Sequence, residues 1–115
     1  MNNKKLGTAF ERRVVDYLSS QGYWAHFIVP DARGAQPFDI IAVKDGKPLA
    51  IDCKTCSTNV ISYSRLEENQ KTAFEYWMRC GNSEPWIAAE YKEQIIWIRY
   101  LELKERKTIK LNEKV

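Results

Sequence analysis

Pro37-Phe38-Asp39-Ile40-Ile41-Ala42-Val43-Lys44-Asp45-Gly46-Lys47-Pro48-Leu49-Ala50-Ile51-Asp52-Cys53-Lys54 holds two apolar runs on either side of Asp45-Gly46. Asp-Gly between alternating hydrophobic segments is a strong hairpin signal, because both central residues of a type I′ turn need positive φ. With Asp45 and Gly46 as the loop, Lys44 faces Lys47, Val43 meets Pro48, Ala42 meets Leu49, and Asp39 lands opposite Asp52. Directly opposed residues have Cβ atoms about 4.5–5.5 Å apart, where like charges repel. Side chains alternate along a strand, so Lys54 leaves the same face as Asp52. Two carboxylates and an ammonium thus converge, and a divalent cation between the acids is the simplest compensation. The plainer reading is a solvated antiparallel face. It suits Lys44, Asp45 and Lys47 near the turn. It suits Asp39 and Asp52 poorly, since each is set among apolar residues. A loop of three or five residues would shift this register.

A chain of 115 residues, 44% hydrophobic, is expected to form a single domain, residues 1–115, around one core. No apolar run approaches the roughly 20 residues of a membrane span. Met1-Asn2-Asn3-Lys4-Lys5 leads into an amphipathic pattern instead of the apolar block of a secretory signal, so a cytoplasmic protein is expected. Cys53, Cys56 and Cys80 are odd in number, and Cys53-Lys54-Thr55-Cys56 ends a strand instead of opening a helix. All three read as reduced thiols with packing roles. The net charge of +3 is mildly basic and weak evidence for a polyanionic partner. Lys4, Lys5, Arg12 and Arg13 cluster early, and Lys104, Arg106, Lys107 and Lys110 late. Such runs are most often solvated faces.

Leu6, Phe10, Val14, Tyr17 and Leu18 recur at helical spacing, predicting a helix from about residue 6 to 21 with Gly22 as its C′ residue. Tyr23 to Val29 reads as a strand, and residues 30–37 as a turn-rich loop. Residues 56–63 read as a loop or irregular edge. Ser64-Arg65-Leu66-Glu67 fits a capping box for a second helix running to about Cys80, with Leu66, Ala73, Phe74, Trp77 and Met78 as its buried stripe. Residues 85–91 and 94–100 form a second hairpin around Lys92-Glu93, and 101–115 is either a short charged helix or an edge strand. The order α-β-β-β-α-β-β implies an α/β domain, a mixed central sheet flanked by helices.

Glu11 on the first helix, Pro37-Phe38-Asp39-Ile40-Ile41-Ala42, Asp52-Cys53-Lys54 and Gln70 on the second helix together resemble the PD-(D/E)XK nuclease superfamily, which has a restriction-endonuclease-like fold. Within it the chain is most similar to the archaeal-type Holliday junction resolvases, over roughly residues 6–98. The resemblance implies a metal-dependent endodeoxyribonuclease that cleaves branched DNA. Asp39, Asp52 and the backbone carbonyl of Cys53 would be metal ligands, with Mg²⁺ as the ion and Mn²⁺ as a substitute. Lys54 would lie by the attacking water and the scissile phosphate. Glu11 would reach a metal-bound water or a second ion, and Gln70 would brace the site. A homodimer acting on a four-way DNA junction is also implied. Phe38 separates Pro37 from Asp39, and Asp52 stands where glutamate is commoner.

Plainer roles stand beside these. Glu11 could cap its helix, as Thr8-Ala9-Phe10-Glu11 fits a capping box. Gln70 could sit on a solvated helix face. His26 reads as a partly buried strand residue, Arg33 and Gln36 as loop residues within reach of phosphate, and Trp24, Trp77, Trp86 and Trp97 mostly as core.

Overall fold

Asp45 and Gly46 take φ of 54° and 74°, the left-handed pair that a two-residue hairpin requires. They join β2 (Ile40–Lys44) to β3 (Lys47–Thr55) in the register expected, from Lys44 opposite Lys47 to Ile40 opposite Ile51. The computed structural model describes residues 3–30 and 36–115, with side chains from residue 9 onward. The first helix, α1 (Asn3–Ser20), starts earlier than the apolar spacing alone predicts. After Gly22 the chain enters β1 (Trp24–Phe27), antiparallel to β2. A short β4 (Val60–Ser62) and one 3-10 turn (Tyr63–Arg65) lead to α2 (Glu68–Arg79).

The second hairpin is β5 (Trp86–Tyr91) and β6 (Gln94–Arg99), turning through Lys92 and Glu93 at φ of 51° and 65°. The tail takes both of its anticipated forms. It makes α3 (Tyr100–Arg106) and then β7 (Thr108–Lys110), which pairs with β4.

The main sheet runs β1-β2-β3-β5-β6, with β3 and β5 parallel and the other pairs antiparallel. A parallel pair needs a long crossover, and here β4, the 3-10 turn and α2 supply it. One face takes the α1 stripe of Phe10, Val14, Val15 and Leu18 against Ala25, Ile40, Ala42, Ile51 and Ala88. The other takes Phe74 of α2, Leu103 of α3, and Ile61 and Ile109 of the small sheet against Ala50, Ile87, Ala89 and Ile98. Alanines at the sheet centre let the helices approach closely.

Several expected positions shift. Tyr17 is 44% exposed and lies beside Trp97 at the edge of the α1 stripe. His26 is exposed, with its ring 4.3 Å from that of Trp24, itself 58% exposed. Trp77, Trp86 and Trp97 are half-buried at the margins of the core, where a large ring with a polar N–H is most easily satisfied. Cys80 is exposed at the end of α2, not packed.

Phe74 is fully buried between Phe38 and Tyr100, with ring centroids 5.8 and 5.1 Å away. Phe74→Ala is expected to cost about 3–5 kcal/mol of stability, read as a lower urea midpoint at unchanged slope.

Candidate active site

Asp39 sits at the mouth of β2. Its N–H donates to the Ile51 carbonyl at 3.1 Å, and its own carbonyl accepts from the Ile28 N–H at 2.9 Å. Extending the hairpin register would put Cys53 opposite residue 38. Instead the Cys53 N–H donates to Asp39 Oδ2 at 2.7 Å, so a carboxylate replaces the next backbone acceptor of the ladder. Gln36 Nε2 donates to the other oxygen. Asp39 is thereby held almost fully buried where the two strands diverge.

Asp52, on β3, has no exposure. Its Oδ1 accepts from Gln70 Nε2 at 2.8 Å, and its Oδ2 faces Lys54 Nζ at 3.1 Å as an ion pair. Lys54 Nζ in turn donates to Gln70 Oε1 at 3.2 Å, which closes a triangle of acid, amine and amide. The same Gln70 oxygen accepts the Glu67 backbone N–H at 3.0 Å. The helix cap is therefore Glu67, not Ser64, and Gln70 is the N3 partner that reaches back to it. A solvated Gln70 is ruled out, since the residue is 7% exposed.

Burial pushes the Asp52 carboxyl well above its usual range, and the neighbouring Asp39 charge pushes it further, against the pull of Lys54. Glu11, half-buried on α1, is raised to about 7 by desolvation first and by Asp39 second. Its capping role fails, because α1 begins at Asn3 and Thr8 lies inside the helix. The Cys53 thiol packs in the α1-side cluster, and burial followed by the nearby carboxylates pushes it up. Cys56 is raised by burial as well. Both are free thiols of low nucleophilicity, as their reading as structural cysteines required. Arg33 and the side chains of Lys4, Lys5 and Leu6 lie outside the described residues.

Among the described residues no three His, Cys, Asp or Glu side chains gather closely enough to hold a metal ion by themselves. The donor set nevertheless suits a hard divalent cation. Mg²⁺ is commonly held by one or two carboxylates and keeps several waters. Burial first and the Asp39 charge second raise the carboxyls of Asp52 and Glu11, so the site favours added positive charge, and among the described residues Lys54 Nζ, 3.1 Å from Asp52 Oδ2, is the cation that faces it.

Residues 2–115 match the family model described as archaeal Holliday junction resolvase (Hjc). The chain belongs to this family. It also superposes on Hjc of Archaeoglobus fulgidus, a Holliday junction resolvase from an archaeal hyperthermophile, with a TM-score of 0.73 over 94% of this chain and 91% of that one. At 22% identity this second likeness establishes the shared fold. No curated protein matches the sequence. Membership of the Hjc family makes the chain a nuclease that acts on branched DNA.

Two outcomes follow for this resolvase without metal. Gln70→Ala leaves the buried Asp52 oxygen and the Glu67 N–H without a partner, and is expected to destabilise by about 2–3 kcal/mol in urea denaturation. For Glu11 the folded state binds the proton more tightly than the unfolded chain, so stability falls as pH rises from about 4.5 to about 7. Glu11→Gln should flatten that decline in melting temperature measured across the same pH range.

Proposed function

We propose that the chain resolves four-way DNA junctions by hydrolysing phosphodiester bonds with the help of a divalent cation, Mg²⁺ or in its place Mn²⁺. The observation that carries this reading is the Asp52–Lys54–Gln70 triangle beside Asp39, in a chain of the Hjc family. Asp39, Asp52 and the Cys53 carbonyl would hold the ion, with Glu11 facing the same space. Bound there, the ion would lower the pKa of a water and offset charge on the phosphoryl oxygens.

The remaining work falls to this chain's own groups. The Lys54 ammonium, aimed by Asp52 and Gln70, offsets negative charge as it grows on the phosphate. Glu11, with its pKa near neutrality, can accept a proton from an attacking water at physiological pH. Gln70 fixes both Asp52 and Lys54, so it positions the site without touching the substrate. Asp39, tied to the Cys53 N–H, keeps the main chain of residue 53 in place.

Each chain carries one such constellation, and a junction is resolved by two cuts. A homodimer that brings two sites to opposed strands meets that need, and light scattering of the purified protein reads its mass. Among the described residues no helix is long and apolar enough to cross a membrane.

The deciding assay offers end-labelled four-way junction, linear duplex and single strand, each with Mg²⁺ or EDTA. Paired cuts confined to the junction, and lost in EDTA, are expected. Equal cutting of linear duplex, or cutting unaffected by EDTA, would overturn the reading. Asp52→Asn should abolish cleavage and retain junction binding. Lys54→Ala should raise the barrier by about 3–4 kcal/mol, seen as a single-turnover rate several hundredfold lower.

A further inference from the structure

We infer that the 3-10 turn Tyr63–Arg65, together with Lys107 and Lys71, forms a phosphate-binding shelf that takes the DNA backbone flanking the scissile bond. This rests on the junction-cutting reading above and adds to it a second, non-catalytic contact surface.

The arginines differ sharply in how their charge is used. Arg13 pairs with Glu90, Arg99 with Glu84, and Arg106 with both Glu102 and Glu113. Arg12 lies over the Phe27 ring and Arg79 over that of Tyr76. Arg65 is exposed, and among the described residues it meets neither carboxylate nor aromatic ring. Its Nη2 donates to the Thr55 carbonyl at 3.0 Å, and its Nη1 lies 3.9 Å from Cys56 Sγ. The guanidinium is therefore held in place, un-neutralised, over the residue that follows Lys54. A guanidinium fork fixed in this way suits a phosphate's paired oxygens.

Lys107 supplies an independent observation. It ends α3 at φ 71° and ψ −33°, a conformation that favours glycine, yet a lysine occupies it. Its carbonyl accepts the Tyr63 N–H at 2.8 Å, and its Nζ stands 4.8 Å from the Tyr63 ring centroid. Lys71, next in sequence to Gln70, brings a second ammonium to within 4.3 Å of the same ring. The carboxylate near Lys71 is that of the solvent-exposed Glu68, at 3.3 Å, a pair too open to neutralise it effectively. The Tyr63 ring gathers two ammonium groups on exposed or half-buried side chains without removing their net charge, and a polyanion laid across them would meet both. Arg65 is tied to Thr55, next to Lys54, and Lys71 follows Gln70, which holds the Lys54 ammonium, so the anion these cations would take is the substrate backbone.

The test measures binding of a fluorescent four-way junction in EDTA, where no cleavage occurs, as a function of salt concentration. Each lost phosphate contact lowers the slope of log affinity against log salt by about 0.9. Arg65→Gln with Lys107→Gly should lower it by about 2, and Arg65→Lys should retain most of it. Lys47→Gln, at the hairpin tip about 23 Å along β3 from Lys54, should leave it unchanged. Lys107→Gly alone separates binding from folding. It relieves the backbone, so its melting temperature should hold or rise while junction affinity falls. A double variant with wild-type affinity and slope overturns the shelf and leaves the catalytic reading intact. Affinity and melting temperature falling together in Arg65→Lys and Lys107→Gly would make the role structural and overturn it too. A wild-type protein that ignores the junction fails the catalytic reading, and the shelf with it.

Discussion

A carboxylate with no exposure, three residues before the end of the central strand β3, constrains the rest of this molecule. Taking Asp52 out of water costs several kcal/mol unless its charge is answered by excellent geometry. Two side chains answer it, Lys54 from the same strand and Gln70 from α2. Gln70 can do so only if α2 begins at one residue and at one height above the sheet. The start of α2 is fixed from below by Asp52 and from within by the Glu67 N–H that Gln70 also accepts. It is fixed from the side by the 3-10 turn, whose Tyr63 N–H is bound to the Lys107 carbonyl. The α3–β7 unit, distant in sequence, thus supports the helix end that aims the site.

Asp39 and Glu11 bring negative charge to the same place from the other elements. Asp39 arrives where β2 and β3 part, and its carboxylate fills the gap in the backbone ladder. Glu11 arrives from α1, across the sheet from α2, yet still feels the Asp39 charge. Acids from a helix and from two strands are packed closely enough that the Asp39 charge adds to burial in raising the carboxyls of Glu11 and Asp52. A fold selected only for stability would gain by replacing such a cluster with apolar side chains. Its presence is what the proposed cation- and phosphate-binding role would require.

What the sequence revealed here follows from the range of each determinant. The β2–β3 register was legible because Asp45-Gly46 favours a two-residue turn, which the structure adopts, and the apolar alternation sets the face. That fixed the meeting of Asp39 and Asp52 before any long-range contact was known. The start of α2 was not legible. Ser64…Glu67 and Glu67…Gln70 are overlapping capping patterns, and the second prevails because Gln70 must also reach Asp52, a tertiary demand that no local window contains. The β4–β7 pair is three residues a side, too short for a period to show, and its buried Ile61 and Ile109 find each other only in the fold. Tyr17 obeys helical spacing but falls where the sheet beneath α1 ends, so its ring stays at the rim.

Arg65 escaped notice for a related reason. A sequence shows charges but not their neutralisation, and a net charge of +3 conceals two different surfaces. In the late basic cluster, Lys104 is paired with Glu75 and Arg106 with Glu102 and Glu113, while Lys114 also pairs with Glu102. These cations are committed to holding α3 and the terminal turn against the core, and a polyanion approaching them meets nearly as much acid as base. Counterion release depends on cations that face phosphate without a competing carboxylate. The surface able to hold DNA is therefore defined by which bases lack acids, a property of the packed chain that no count of lysines and arginines can supply.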